Sequence, residues 1–255
     1  MPKGTYIAAS AMYVESQALD ISARNLAHAQ TTGYQRETFL RTGFAEELAK
    51  RGRIENIAGD GGSGSLAAGS YFAHGGGMRE TTGAPLDLAI EGDGWFRVQN
   101  DQGKTLLTRA GHFVTDDQGR IATPEGWLVQ GQGGAITIPR DAERISIDQS
   151  GRISAFISTN GVRRDTVIDQ VRVVQVPQPR ELRAINGQYF DPAGQAQNDG
   201  TGRIQQGYLE KSNVEPIQEL AEMIAIQRRY DAAQKSLKEM NQAGSGFSEL
   251  LRGNG

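Results

Sequence analysis

The residues best equipped for proton transfer or metal binding near neutral pH are three histidines, His28, His74 and His112. They lie far apart, none has a histidine four residues on, and no H-E-x-x-H run occurs, so the helical zinc site is excluded. Asp87 and Glu91 are four apart across a predicted strand, the kind of carboxylate pair a glycosidase would use. Acidic residues near strand ends are more simply read as solvated. Asp116, Asp117 and Asp148 sit in Asp-Gly stretches that lack the alternating acidic residues of a twelve-residue calcium loop, and are read as turns. The serine in "GGSGS" (Gly61 to Ser65) has no strand–turn–helix setting for a nucleophile, and Gly103–Lys104 lacks the rest of a phosphate loop. Trp95, Phe96 and Trp127 could form a sugar platform. Adjacent residues face opposite sides of a strand, so one of Trp95 and Phe96 is expected in a core and the other at a contact between subunits. The reading is therefore of a chain that is not an enzyme, with no catalytic residue, no metal and no cofactor, the alternative being a secreted β-domain protein that binds or cleaves a polysaccharide.

Composition narrows the remaining classes. The chain has 255 residues, 37% hydrophobic content, 33 glycines and no cysteine. The apolar share is low and the glycine share high for a compact globule, which favours loops and surfaces completed by partners. A net charge of −3 supplies no basic stripe, so nucleic acid is not an expected partner. No apolar run approaches the roughly 20 residues of a membrane span, so no stable membrane insertion is expected. The stretch "MPKGTYIAASAMYVES" lacks the continuous apolar centre of a signal peptide, so the general secretory route is not expected.

The elements that would position any function fall into four regions. In region 1–50, Ile7, Ala11, Val14, Ala18, Ile21 and Asn25 recur at steps of four and three, with Met12, Leu19 and Leu26 on an adjoining face. No Gly or Pro interrupts Thr5 to Thr32, and Gly33 is the expected helix stop. Region 51–84 reads as an extended or loosely ordered connector, with ten glycines between Gly52 and Gly83. In region 85–206 the period becomes two, and an all-β outer domain is expected, with turns at "DQGK", "DQGRI" and "DQSGRI" in which Asp closes the turn and Gly takes positive φ. In region 207–255, Asn213 is the expected N-cap, with Glu215 and Pro216 in the helix entrance. Met223, Ile226, Tyr230, Ala233, Leu237 and Met240 then step by three and four as a heptad seam, widened at its start by Ile217, Leu220 and Ile224. The fold class expected is α+β: long N- and C-terminal helices pairing as a coiled-coil-like core, with an all-β central domain. A wide apolar arc is unstable alone in water, and the excess beyond one partner helix points to an assembly with other copies or other proteins.

Three motifs carry a family resemblance. "NLAHAQTTGYQR" (Asn25 to Arg36) resembles the N-terminal signature of flagellar rod and hook proteins, N-L-A-N-x-x-T-x-G-[YF]-K-R, with His28 and Gln35 departing from it. "GYLEKSNVEPIQELAEMIAIQRRY" resembles their C-terminal run, and "PLDLAIEGDGWFRV" with "TRAGHFVTDDQGRIATPEGWLVQG" resembles their middle segments. Within that family the length and compact middle look closest to proximal rod proteins, with distal rod proteins next. The resemblance implies a structural subunit of the flagellar basal-body rod, exported through the flagellar type III export apparatus and self-assembling with other copies, adjacent rod proteins and hook-side axial proteins. It implies an inner tube of terminal helices that transmits torque from motor to hook. By the same resemblance, Asn25 to Arg36 is the turn leaving the first helix and touches other subunits. Gly33 would supply the bend, Tyr34 an aromatic anchor and Arg36 a charged contact, while Ser212 to Val214 would begin the last helix. The expected assembly interface is then Ile7, Ala11, Val14, Ala18, Ile21, Asn25, Leu26, Gly33, Tyr34, Arg36, Asn213, Met223, Ile226, Tyr230, Ala233, Leu237 and Met240.

Overall fold

A computed structural model describes residues 3–43, 65–159 and 162–252. Residues 61–64 of the "GGSGS" linker and most of the first half of the expected connector fall outside the described residues. The chain divides into two compact units.

The first unit comprises residues 1–27, 37–71 and 215–255. It contains α1 (Lys3–Ala27), β1 (Glu37–Gly43), β2 (Ser65–Phe72) and α2 (Pro216–Arg252). Strands β1 and β2 form a two-stranded sheet. The two helices run antiparallel: a Cβ on Gly4 would lie 2.7 Å from Met240 Sδ, Glu15 pairs with Arg229, and Ser22 meets Glu219. Ala8, Val14, Ala18, Ile21 and Ile226 are buried along the contact line.

The second unit comprises residues 28–36 and 72–214. In it the chain first forms β3 (Arg79–Thr81), β4 (Leu88–Glu91), β5 (Trp95–Gln99), β6 (Thr105–Thr108), β7 (Val114–Thr115), β8 (Ile121–Ala122) and β9 (Leu128–Val129). A hairpin sheet follows, made of β10 (Ala142–Ile147), β11 (Arg152–Thr159) and β12 (Val162–Gln170). Next come β13 (Val173–Gln175), β14 (Arg183–Ala184), β15 (Tyr189–Asp191) and β16 (Asn198–Asp199), and last β17 (Arg203–Gln206) and β18 (Tyr208–Glu210). The principal sheet runs β14-β15-β6-β5-β9-β8-β7, with β13 joining β5 to β16, while β17 pairs with β4 and β18 with β3.

The expected fold class is overturned. The chain is mostly β, with two α-helices among the described residues, and those helices do not make a long coiled-coil core. The physical reason is on the contact line, where Glu15, Ser22, Asn25 and Glu219 are buried and hydrogen-bonded in places where a coiled coil would seat apolar knobs. Three local expectations change with it. Residues 65–72 and 79–81 of the expected connector are strands. Helix α1 ends at Ala27, so Gly33 is not its stop. Helix α2 starts at Pro216, so Asn213 is not its N-cap, and Ser212 to Val214 precede the helix.

Two apolar clusters explain the aromatic residues. Phe96 and Val98 project from β5 into one, with Leu106, Phe113 and Ile121, whereas Trp95 projects into the other, with Leu107, Val174 and Phe190. Alternation therefore holds, but both faces of β5 are covered, and Trp95 and Phe96 are 4% and 0% exposed. Trp127 lies edge-on against Tyr189.

The turns repeat one device, with the closing residue one position before the expected Asp101 and Asp117 in two of them and at the expected Asp148 in the third. Asn100 Oδ1 accepts the amides of Gln102 and Lys104, Asp116 Oδ1 those of Gln118 and Arg120, and Asp148 Oδ1 those of Ser150 and Arg152. Each closes over a glycine of positive φ: Gly103, Gly119 and Gly151. The Ser150 hydroxyl, helped by the amides of Arg152 and Ser150, outweighs desolvation and holds the Asp148 carboxyl below its ordinary pKa.

Candidate assembly elements

The residues suited to catalysis are not gathered. Among the described residues there is no cluster of His, Asp and Glu able to hold a metal. His28 stacks on Tyr34 with ring centres 4.7 Å apart. Asp87 is buried and lies 2.7 Å from Nδ1 of the exposed His112, while Glu91 is exposed and engages Arg79 and Gln205. The two carboxylates thus serve different partners.

His74 is the histidine with the most constrained setting. Its Nε2 lies 2.8 Å from the Pro179 carbonyl, and its ring sits edge-on to Trp95 and Phe190 at 5.0 and 5.3 Å. Nδ1 is buried with no hydrogen-bond partner among the described residues. Burial, with the nearby Arg109 charge acting in the same direction, lowers its pKa against the raising effect of the Pro179 bond. Above its ordinary pKa of 6.5 the imidazole is neutral in both folded and unfolded chains and imposes no penalty. Below it the unfolded chain takes up a proton that the folded chain resists, so stability falls, by at most about 1.4 kcal/mol per pH unit for one group. Replacing His74 with Phe is expected to flatten the pH dependence of urea unfolding between neutrality and mild acid. An unchanged slope in the variant would show that carboxylates alone set it.

In the first unit, Asn25 joins three segments. Its Nδ2 donates to the Glu37 carbonyl and to Glu219 Oε1, both at 2.8 Å, and its Oδ1 accepts the Glu37 amide at 2.9 Å. Ser22 Oγ donates to Glu219 Oε2 at 2.8 Å. Glu15 lies between Arg229 and Arg41, at 3.1 and 3.3 Å. Glu37 in turn accepts from Arg24 and Ser70.

In the second unit, three sequence motifs that lie far apart along the chain converge. The Gly33 amide donates to the Glu210 carbonyl at 2.8 Å, and Gly33 packs directly on the backbone of Arg109 and Ala110. The Gln35 amide donates to the Gly187 carbonyl, and Gly187 faces the Tyr34 ring. Asn213 Oδ1 accepts the Arg36 amide at 2.6 Å, and its Nδ2 donates to the Ala73 carbonyl at 2.7 Å. Arg109 Nη1 lies 3.2 Å from Glu210 Oε2.

The expected interface residues therefore divide by burial. Val14, Ala18, Ile21, Asn25, Gly33, Tyr34 and Ile226 are buried. Ile7, Ala11, Leu26, Arg36, Asn213, Met223, Tyr230, Ala233 and Leu237 are half-buried, and Met240 is exposed. Sequence reasoning placed Asn25 on the helix contact line but missed Glu15, Ser22 and Glu219. Their signal is present: Glu219 extends the three–four step of the α2 seam backward from Met223, and Ala8, Glu15 and Ser22 recur at seven.

Comparison with known proteins gives these elements their context. Residues 89–155 match the family described as flagellar hook protein FlgE/F/G D1 domain, and residues 205–243 match the flagellar basal body rod FlgEFG protein C-terminal family. Together they define a flagellar axial structural protein, a class that is not one of enzymes. The chain is 30% identical to the flagellar basal-body rod protein FlgG of Caulobacter vibrioides, covering 95% of this chain and 97% of that one. It is 30% identical to FlgG of Bacillus subtilis (92% and 94% covered) and 29% identical to the basal-body rod protein FlgF of Salmonella typhimurium (95% and 96% covered). This chain belongs to the flagellar basal-body rod protein family. Relatives of both names match at nearly the same identity, so similarity places it with the rod proteins as a group. No described helix is long and apolar enough to cross a membrane.

Proposed function

We infer that this chain is a structural subunit of the flagellar basal-body rod and has no catalytic activity of its own. The observation that carries this reading is the end-to-end similarity to basal-body rod proteins, which runs over 95% of the chain. The subunit assembles with other copies and with adjacent rod and hook-side axial proteins, and it reaches the rod through the flagellar type III export apparatus. The four regions 1–50, 51–84, 85–206 and 207–255 are its working divisions, and the helix-bearing ends carry the assembly contacts. Buried polar pairs in both units suit a part under torque, because each ties distant segments together by directional bonds.

Gold-labelled antibody against residues 85–206, applied to purified basal bodies, is expected to decorate the rod. Deleting residues 1–36 is expected to abolish that decoration and swimming together. Label confined to another compartment, or wild-type swimming by the deletion strain, would overturn the reading.

A further inference from the structure

Two outward strips on the helix pair are unused by the contacts described above. Tyr6 and Tyr13 are 77% and 63% exposed. Seven residues apart, they share one face of α1. At 100° per residue Tyr13 lies roughly 140° round the helix from Ala18, away from the line that packs on α2. On α2, Ile217, Leu220 and Ile224 are 83%, 49% and 56% exposed. Their i, i+3, i+7 spacing sets them in one row, roughly 120° or more from the buried Ile226. A single exposed apolar side chain is ordinary, but two such rows on one helix pair mark surface that a partner covers.

The charges that continue the rows differ in sign. On α1 the next heptad step after Tyr13 is Asp20, which is exposed, and the exposed Ser16 between them is uncharged. Arg24, one turn further on, is engaged by Glu37 at 2.9 Å, so Asp20 sets the charge of the tyrosine row. On α2 the exposed Arg228 and Lys235 continue the aliphatic row from Ile224, with the exposed Asp231 as the one carboxylate between them. That row therefore ends in a net positive charge. Pairing either row with its own kind brings charges of one sign to the same face, whereas pairing the two rows brings Asp20 to a basic face. The two rows of one copy cannot meet each other, because both face away from the contact between their helices.

We propose that the Tyr6–Tyr13 row of one copy packs against the Ile217–Leu220–Ile224 row of a second copy. This rests on the inference that copies of the chain assemble. Because the two surfaces are different, the contact is heterologous and repeats from copy to copy, as an open axial array requires.

The chain has no cysteine, so introduced thiols report on this contact alone. One full-length preparation carries Tyr13→Cys and another Leu220→Cys, and they are mixed under oxidised glutathione. A control mixture pairs Tyr13→Cys with Ser236→Cys, an exposed position on another face of α2. Circular dichroism checks that each variant keeps its helices. The strip mixture is expected to form mixed disulfide dimers about tenfold faster than the control. In parallel, the combined variant Ile217→Ser, Leu220→Ser, Ile224→Ser is expected to raise the concentration at which sedimentable assemblies form by at least about tenfold. Equal cross-linking in both mixtures, or assembly with no strip cross-link, overturns this pairing and leaves the rod reading standing. Chains that neither associate nor cross-link at any concentration overturn the pairing as well, and the gold-labelling result then decides the rod reading separately.

Discussion

Replacing Arg109 with methionine is expected to lower the unfolding free energy by about 3–5 kcal/mol, the loss typical of a buried ion pair stripped of one partner. Arg109 is 8% exposed and Glu210 is 1% exposed. The guanidinium donates to Glu210 Oε2 and to the Gly92 carbonyl, at 3.2 and 2.8 Å, and sits 5.6 Å from the centre of the Trp95 ring. Methionine can fill much of the space but leaves the Glu210 carboxylate without its cation. Burial already pushes the Glu210 pKa up, and Arg109 is the largest influence holding it down. Without Arg109 the folded-state pKa rises further above the unfolded value. The folded variant then gains relative stability at low pH and loses it as pH rises through that folded pKa. The deficit should accordingly be largest at neutral pH and shrink on acidification. Adding Glu210→Gln to the variant is expected to recover part of the loss, because a neutral amide does not need the cation. Urea unfolding of the three proteins measures all of this. A loss under about 1 kcal/mol, the scale of an exposed pair, would mean that water reaches the carboxylate.

This pair also shows where sequence reading runs out. Arg109 and Glu210 are 101 residues apart, and neither carries a local sign of the other. The features that were legible depend on near neighbours: the apolar steps of α1 and α2, the β period of the middle, and turn glycines at 103, 119 and 151. Even there, the closing side chains are Asn100 and Asp116, one residue before the expected Asp101 and Asp117, because the carboxylate or amide must reach amides two and four residues on. The coiled-coil reading failed for a related reason. Spacing identifies which residues share a face, but it does not reveal that Glu15, Ser22, Asn25 and Glu219 form a buried polar row with Arg229 and the Glu37 backbone. Asn213 has a side chain suited to capping, and its short reach is spent instead on the Arg36 amide and the Ala73 carbonyl. The motif stretches themselves were recognisable, but their meeting at Gly33, Arg109 and Glu210 is a property of the fold.

Gly33→Ala is expected to cost more than about 4 kcal/mol, the range reserved for a severe structural conflict. Two penalties coincide. Gly33 has φ of +68°, a region where any residue with a Cβ is disfavoured by about 1–2 kcal/mol. A Cβ there would also lie 2.2 Å from the Ala110 amide nitrogen and 2.5 Å from the Arg109 carbonyl carbon. Both are backbone atoms, so no rotamer change relieves the overlap. Separating the segments stretches the Gly33-to-Glu210 bond and displaces the very residues that hold the Arg109–Glu210 pair. Gly126 provides the control, with φ of +89° and nothing within 4 Å of its virtual Cβ. Gly126→Ala should cost only the conformational part, about 1–2 kcal/mol. Thermal unfolding of the two variants side by side isolates the steric contribution. Equal losses would mean that the 28–36 loop moves off the Arg109–Ala110 backbone without cost, and that the convergence of the three motifs is too soft to hold Gly33 in place.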